Sequence, residues 1–151
     1  MFNAAVWKDG ERQAEAYMKK HGFKILKTNF SCVGVELDII ALLPKTVQQK
    51  NIKLKLKQML KTADRKEKKM LKISFKTRMK QVSDLLVITE VKARSNDNFG
   101  EGSEFVKEQK KFNITKGARY IQSLPEYSKY QIRFDVASVD AGEVNYIEDA
   151  F

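Results

Sequence analysis

The fold is decided by residues 85–93, which read LLVITEVKA. Apart from three polar positions the stretch is apolar and rich in β-branched residues, a pattern that predicts a strand covered on both faces of a sheet. Glu90 and Lys92 stand two residues apart, so both side chains leave the same face of that strand. A lone buried charge costs several kcal/mol. The two charges must therefore pair, bind a ligand or lie at an exposed strand end.

Periodicity outward from this strand predicts two helices and four more strands. Asp9 is a candidate N-cap of the first helix and Ser103 of the second, while Gly22 and Pro125 mark their ends. The predicted elements are, in chain order, a helix over 9–21, strands over 23–30, 36–42 and 85–93, a helix over 103–124, and strands over 132–139 and 144–147. The order α-β-β-(insert)-β-α-β-β predicts an α/β fold, a mixed sheet flanked by helices, with residues 1–151 as a single domain.

Asp38, like Glu90, is a charged residue in an otherwise apolar predicted strand. Alternation predicts two faces for that strand, with Leu37, Ile39 and Ala41 on one and Glu36, Asp38 and Ile40 on the other. Glu11 lies close to the apolar side of the first helix. Three carboxylates and one lysine can therefore converge on one point: Glu11, Asp38, Glu90 and Lys92.

Such a set suits phosphodiester hydrolysis. Carboxylate oxygens are the hard ligands that hold Mg²⁺ or Mn²⁺, and a bound metal lowers the pKa of its water and stabilises charge on phosphate oxygens. A neighbouring lysine can neutralise charge that develops in the reaction. Glu90 and Lys92 alone are a weak signal, since a solvated ion pair at a sheet edge has the same pattern. Glu36 is a second candidate ligand on the strand of Asp38.

Ordered motifs cover most of the chain outside residues 44–84. They are Gly10-Glu11, Tyr17, Gly22, Asn29-Phe30, GVELDIIA (34–41), EVKAR (90–94), Phe99-Gly100, Ala118, Tyr120, RFDV (133–136) and Ala150-Phe151. Together they resemble the YraN family of small bacterial proteins, whose fold is similar to archaeal Holliday-junction resolvases in the PD-(D/E)xK nuclease superfamily. The resemblance implies a restriction-endonuclease-like sheet.

The resemblance also implies roles for the charged residues. Asp38 and Glu90 would be metal ligands, Glu11 the helix-borne acid that joins them, and Lys92 the catalytic lysine, with Mg²⁺ or Mn²⁺ as cofactor. The implied activity is an endonuclease acting on structured, branched DNA in repair or recombination, as a homodimer if both strands are cut. A non-catalytic nucleic-acid-binding protein on the same fold stays open as the alternative.

Basic residues identify candidate DNA contacts, and most of the positive charge lies in one segment. Residues 45–80 hold 14 Lys and Arg against Asp64 and Glu67, a net of +12, whereas the rest of the chain is at −2. Members of the family usually join these strands by a short turn, so this segment is an insert. The candidate phosphate contacts are Arg94, Lys107, Lys110 and Lys111 near the site, and Lys66, Lys68 and Lys69 in the insert.

The insert itself predicts a basic amphipathic helix followed by a short extended piece around Ile73 and Phe75. Three functions are open for it: an arm that grips phosphates, an amphipathic helix on an anionic membrane or in a partner groove, and a solvated excursion. Asp135 is also ambiguous, since it can pair with Arg133 or support the site from a neighbouring strand.

Composition limits the setting of the protein. No apolar run is long enough to span a bilayer, and the first residues lack the basic start and apolar core of a signal peptide. Cys32 is the single cysteine, so an internal disulfide is impossible and a reducing compartment is expected. We expect a cytoplasmic protein. Signatures of a P-loop, dinucleotide fingerprint, zinc cluster or serine triad are absent.

Overall fold

The structure is a computed structural model that describes residues 4–94 and 103–151, with the side chains of residues 4, 7, 94 and 103–107 outside the description. Nine elements follow one another along the chain. They are α1 (Ala4–Lys20), β1 (Lys24–Cys32), β2 (Val35–Leu43), α2 (Lys45–Met59), α3 (Arg65–Gln81), β3 (Leu85–Arg94), α4 (Ser103–Ser123), β4 (Gln131–Asp140) and β5 (Glu143–Ile147). The predicted order is confirmed, and the strand boundaries differ by at most two residues.

The five strands form one mixed sheet in the order β1-β2-β3-β4-β5. β3 runs antiparallel to β2 and parallel to β4, and the outer pairs are antiparallel. The parallel pair is possible because α4 makes the crossover between β3 and β4. A mixed sheet with helices on both sides is the predicted α/β architecture and is consistent with a nuclease-like fold.

β3 is the centre of the molecule, since its side chains supply the core on both faces of the sheet. Val87 and Val91 pack on the side of α1, against Ala14 and Met18 of that helix. Leu86 and Ile88 pack on the side of α4, with Ile114, Ala118 and Ile121 of that helix. Each such buried aliphatic side chain contributes about 1.5–3 kcal/mol. The prediction of a strand covered on both faces is confirmed.

Two glycines bring the helices into direct contact with the sheet. A Cβ at Gly10 of α1 would lie 2.7 Å from the Cβ of Ala93, and one at Gly117 of α4 would lie 2.9 Å from a methyl carbon of Leu37. Neither position has room for a side chain. Glycine at these sites therefore lets α1 approach the end of β3 and α4 approach the start of β2.

The first helix and β2 differ from the prediction. α1 begins at Ala4, so Asp9 is not its N-cap; the Asp9 carboxylate instead accepts bonds of 2.6 Å from the side chains of Arg12 and Gln13. Leu37 lies on the α4 side of the sheet with Ile40, whereas Ile39 lies on the α1 side. The predicted shared face of Leu37 and Ile39 was wrong, because β2 departs from strict alternation around Asp38.

The insert is a pair of helices, α2 and α3. The short extended piece predicted around Ile73 and Phe75 was wrong: both residues lie inside α3, and Phe75 is buried with Ile52 of α2 in the described structure. Asp84 joins the two ends of the insert, because its Oδ1 accepts a hydrogen bond of 2.6 Å from the backbone N–H of Lys45. This bond satisfies one of the free donors at the start of α2, where Pro44 supplies no side-chain cap.

A buried polar network fastens the C-terminal strands to each other. Asp135 is 0% exposed and accepts bonds from the Nε and Nη2 of Arg133 at 2.8 and 2.7 Å, from the hydroxyl of Tyr146 at 2.7 Å and from the backbone N–H of Asp149 at 2.9 Å. Burial alone would lower the pKa of Arg133, but the Asp135 carboxylate raises it above its usual value. Burial, followed by the Asp135 charge, raises the pKa of Tyr146. Asp135 therefore has a structural role.

We expect Asp135→Ala to lower the free energy of unfolding by about 3–5 kcal/mol, because it leaves the guanidinium of Arg133 partly buried without its carboxylate. Urea denaturation followed by circular dichroism measures this loss. Asp140→Ala, at the exposed end of the same strand, is the matched control and should change stability by less than about 0.5 kcal/mol. A loss at Asp135 as small as that of the control would contradict the assignment.

Candidate functional site

The candidate site lies where β2 and β3 separate. The ladder between them runs from Leu43↔Leu85 to Ile39↔Thr89 and stops there, while β3 continues to Arg94 along β4. At the next position the Oδ2 of Asp38 accepts the backbone N–H of Val91 at 2.8 Å. The side chain of Asp38 thus replaces a backbone carbonyl as the partner of β3. Asp38 and Glu90 are consequently held side by side on adjacent strands.

Glu90 is buried, although it carries a carboxylate. Its side chain is 4% exposed and its Oε1 forms an ion pair with the ammonium of Lys110 from α4. No other donor in residues 4–94 and 103–151 forms a hydrogen bond with that oxygen. Lys110 was predicted only as a phosphate contact, so the ion pair is an addition that the sequence did not reveal. Its signal in the sequence was a basic run on α4 that does not distinguish one lysine from the next.

A cavity of about 480 Å³ opens over Glu90 on the α4 side of the sheet. Lys92 is exposed and shares the wall of this cavity with Glu90, as the two-residue spacing predicts. Lys110 and Lys111 of α4 form the opposite side. The apolar part of the wall consists of Ile114, Val136, Ile147, Ala150 and Phe151. The cavity therefore combines one neutralised carboxylate with three lysines, a charge distribution suited to an anionic ligand.

Glu11 and Glu36 lie close enough to Asp38 to act on it through their charges. Burial raises the pKa of Asp38 above its ordinary value of 3.8; the bond from Val91 and the charge of Lys110 oppose the shift, and Glu11 and Glu36 add to it. The Oε2 of Glu11 accepts a bond of 3.1 Å from the amide of Asn29. Asn29 has a positive φ of 48°, a conformation that asparagine tolerates better than most residues.

Two of the three predicted ligands, Asp38 and Glu90, lie on adjacent strands. In the described part of the chain, no three carboxylate, histidine or cysteine side chains form a ligand group for a metal ion. Asp38 and Glu90 offer hard oxygen ligands on neighbouring strands, and Mg²⁺ commonly takes only one or two carboxylates besides water and substrate phosphates. The implied third ligand, Glu11, is bonded to Asn29 instead. Lys110 supplies the positive charge beside Glu90 in this structure.

The other predicted contacts are divided between two regions. Lys111 lies at the cavity, with its ammonium 5.8 Å from the centre of the Phe151 ring and 3.3 Å from Glu108. The side chains of Arg94 and Lys107 lie outside the described residues. Three insert lysines are exposed at the start of α3, and none of them lines the cavity: Lys66, Lys68 and Lys69.

Comparison with known proteins gives the family. The model of the uncharacterised protein family UPF0102 matches residues 10–139, a span that contains Asp38, Glu90, Lys92 and Lys110. The chain belongs to UPF0102. This is the family that the sequence motifs identified under the name YraN.

Several UPF0102 relatives match the chain over nearly its whole length. A UPF0102 protein of Clostridium acetobutylicum is 30% identical over 148 residues, which is 94% of this chain and 89% of the relative. One from Caldicellulosiruptor bescii is 30% identical over 153 residues, covering 97% and 96% of the two chains. A third, from Clostridium perfringens, is 26% identical over 156 residues, covering 99% and 96%. None of these names states an activity.

Asp38 should destabilise the fold at neutral pH, because its pKa is raised. A carboxyl group with a folded-state pKa above its unfolded value favours folding when protonated, and that contribution is lost as the pH rises through the folded pKa. We expect Asp38→Asn, which cannot ionise but can still accept the Val91 bond, to be more stable than wild type at pH 7, with the gap narrowing towards pH 4. Urea denaturation in metal-free buffer across that range measures the gap.

Asp38→Ala is the matched comparison, because it removes the charge and the acceptor together. It leaves the Val91 N–H unsatisfied, which costs about 1–3 kcal/mol when the group is buried. If the Asp38→Ala protein has a free energy of unfolding equal to or higher than that of Asp38→Asn, the hydrogen bond from Val91 is not what holds β2 to β3 at this point.

Proposed function

We propose that the protein is a Mg²⁺- or Mn²⁺-dependent phosphodiesterase of the endonuclease type. The observation that supports the proposal is the placement of Asp38 and Glu90 on adjacent strands, with Lys92 beside Glu90 on the wall of the cavity. Glu90 lines the cavity with three lysines, and Asp38 lies on the neighbouring strand. Such a set suits a phosphodiester, whose charge the lysines would attract.

Each residue has a distinct task in this proposal. Asp38 and Glu90 would hold the metal, which when bound supplies charge stabilisation and an acidified water. Asp38 is oriented by its bond to Val91, so one of its oxygens stays available. Lys92 would neutralise charge on the phosphate in the transition state. Glu11 would act on Asp38 through its charge, and not as a ligand.

The proposed substrate is structured DNA. The described elements include no separate target-recognition unit, and contacts to phosphates position a protein without reading sequence. A reaction that cuts both strands of a branched junction would need two copies of this site, and therefore a homodimer. No helix in the described residues is both long and apolar enough to cross a membrane.

A non-catalytic DNA-binding role is the second candidate, and the ion pair of Lys110 with Glu90 favours it. An ammonium that already neutralises the buried carboxylate removes the need for a metal there. The two functions differ in a measurable way, since only the first requires a divalent cation to bind at Asp38 and Glu90.

We expect branched DNA to be cut in the presence of Mg²⁺ or Mn²⁺, and we expect Lys92→Ala to lower the rate by about 10²–10³-fold. The measurement is single-turnover cleavage of branched, nicked and linear DNA, with Lys116→Ala, an exposed lysine elsewhere on α4, as the control. Asp38→Asn is the appropriate ligand variant because it keeps the Val91 bond.

Calorimetric titration with Mn²⁺ separates the two candidates. The enzyme is supported if the wild-type protein binds Mn²⁺ and the Asp38→Asn and Glu90→Gln variants do not. In the cleavage assay, a wild-type rate for the Lys92→Ala protein would refute the role of that lysine. DNA binding without any divalent cation binding would leave the non-catalytic protein as the function.

A further inference from the structure

The helix α3 carries a continuous stripe of positive charge along one side. Residues at intervals of three and four lie above one another on a helix, and five basic residues follow that spacing along almost the whole of α3. All five are exposed, and they form what we call the α3 stripe: Arg65, Lys69, Lys72, Lys76 and Lys80. Sequence reasoning had singled out Lys66, Lys68 and Lys69, of which only Lys69 belongs to the stripe.

The acidic residues of the insert do not neutralise this stripe. Asp64 and Glu67 are engaged with each other in a capping box at the start of α3: the Asp64 carboxylate accepts the backbone N–H of Glu67 at 2.9 Å, and the Glu67 carboxylate accepts that of Asp64 at 2.8 Å. In the described part of the chain no carboxylate forms a salt bridge with a stripe residue. The positive charge is therefore directed to solvent.

The apolar residues of α3 are largely used inside the insert. Phe75 is buried, and Leu71 and Met79, one turn away on either side, are partly buried on the same face. Only Met70 and Ile73 of the large apolar residues in α3 are exposed. A helix that lies on a membrane needs a broad apolar face available for lipid. In α3 that face is directed towards α2, which argues against a lipid surface.

No residue of the stripe lines the cavity. Asp38 and Glu90 are each five residues along their strands from the ends where the insert begins and finishes, which corresponds to about 17 Å. The stripe itself extends over about 22 Å of helix. A ligand that contacts the whole stripe must therefore be a long polyanion.

We infer that the α3 stripe binds the phosphate backbone of double-stranded DNA, at a surface separate from the cavity. A duplex carries one negative charge per about 1.7 Å of its axis, so 22 Å of stripe faces on the order of a dozen charges. Five exposed cations in line match such an extended ligand and exceed what a single phosphate requires. The stripe contributes affinity without sequence preference, because it can contact only the backbone.

The test is DNA binding without cleavage. Fluorescence anisotropy of a labelled 30-base-pair duplex in EDTA, at several salt concentrations, gives the slope of log affinity against log salt. We expect Lys69→Ala/Lys72→Ala/Lys76→Ala to make that slope shallower by about 2–3, since each phosphate contact contributes about 0.9. Alanine favours helix, and circular dichroism checks that α3 is retained.

A second triple variant controls for net charge. Lys20→Ala/Lys116→Ala/Lys129→Ala removes the same charge from exposed positions on three other parts of the chain, and it should keep the wild-type slope. Equal loss in both variants, or loss in neither, overturns the inference. So does loss of sedimentation with phosphatidylserine vesicles in the stripe variant while its DNA binding is unchanged. Because EDTA prevents cleavage, the result is independent of the proposed enzyme.

Discussion

The hydrogen bond from the backbone of Val91 to the carboxylate of Asp38 is the contact on which the candidate site depends. Without it, the end of the β2–β3 ladder would leave an unpaired N–H group in the middle of the sheet, which costs free energy. The bond closes that gap and at the same time places a carboxylate next to Glu90. The same side chain thus pairs the two strands and lies in the candidate site, and burial raises its pKa.

Charge is distributed unevenly between the sheet and the insert. In the sheet, buried charges are paired: Glu90 with Lys110, and Asp135 with Arg133. In the insert the cations face solvent, since its two acidic residues cap α3. A burial penalty enforces pairing in the first case, whereas exposed lysines stay hydrated and need no paired carboxylate. The net charge of +10 is therefore largely a property of the insert.

Much of the site was predictable because its signal is local. Glu90 and Lys92 share a face through strand geometry alone, and the cavity wall confirms it. Asp38 was conspicuous as a charge in an apolar strand. Long-range partners were not predictable: Lys110 is one of several lysines on α4, and Asn29 gives no signal of its contact with Glu11. The helices of the insert were predicted only in part, because Ile73 and Phe75 have the two-residue spacing of a strand face. In α3 the two side chains lie on different sides of the helix, with Phe75 buried and Ile73 exposed.

The sequence by itself determined the order of elements, the central position of β3, the excess charge of the insert and the membership of UPF0102. These follow from periodicity, composition and ordered motifs, which are properties of neighbouring residues. Only the tertiary structure decided which charges meet. Asp38 accepts a hydrogen bond from Val91, and Glu90 forms an ion pair with Lys110. Asp135 accepts hydrogen bonds from Arg133 and Tyr146, and Glu11 accepts one from Asn29. Such pairings depend on how strands part and how closely helices approach, and these are set by packing across the whole sheet.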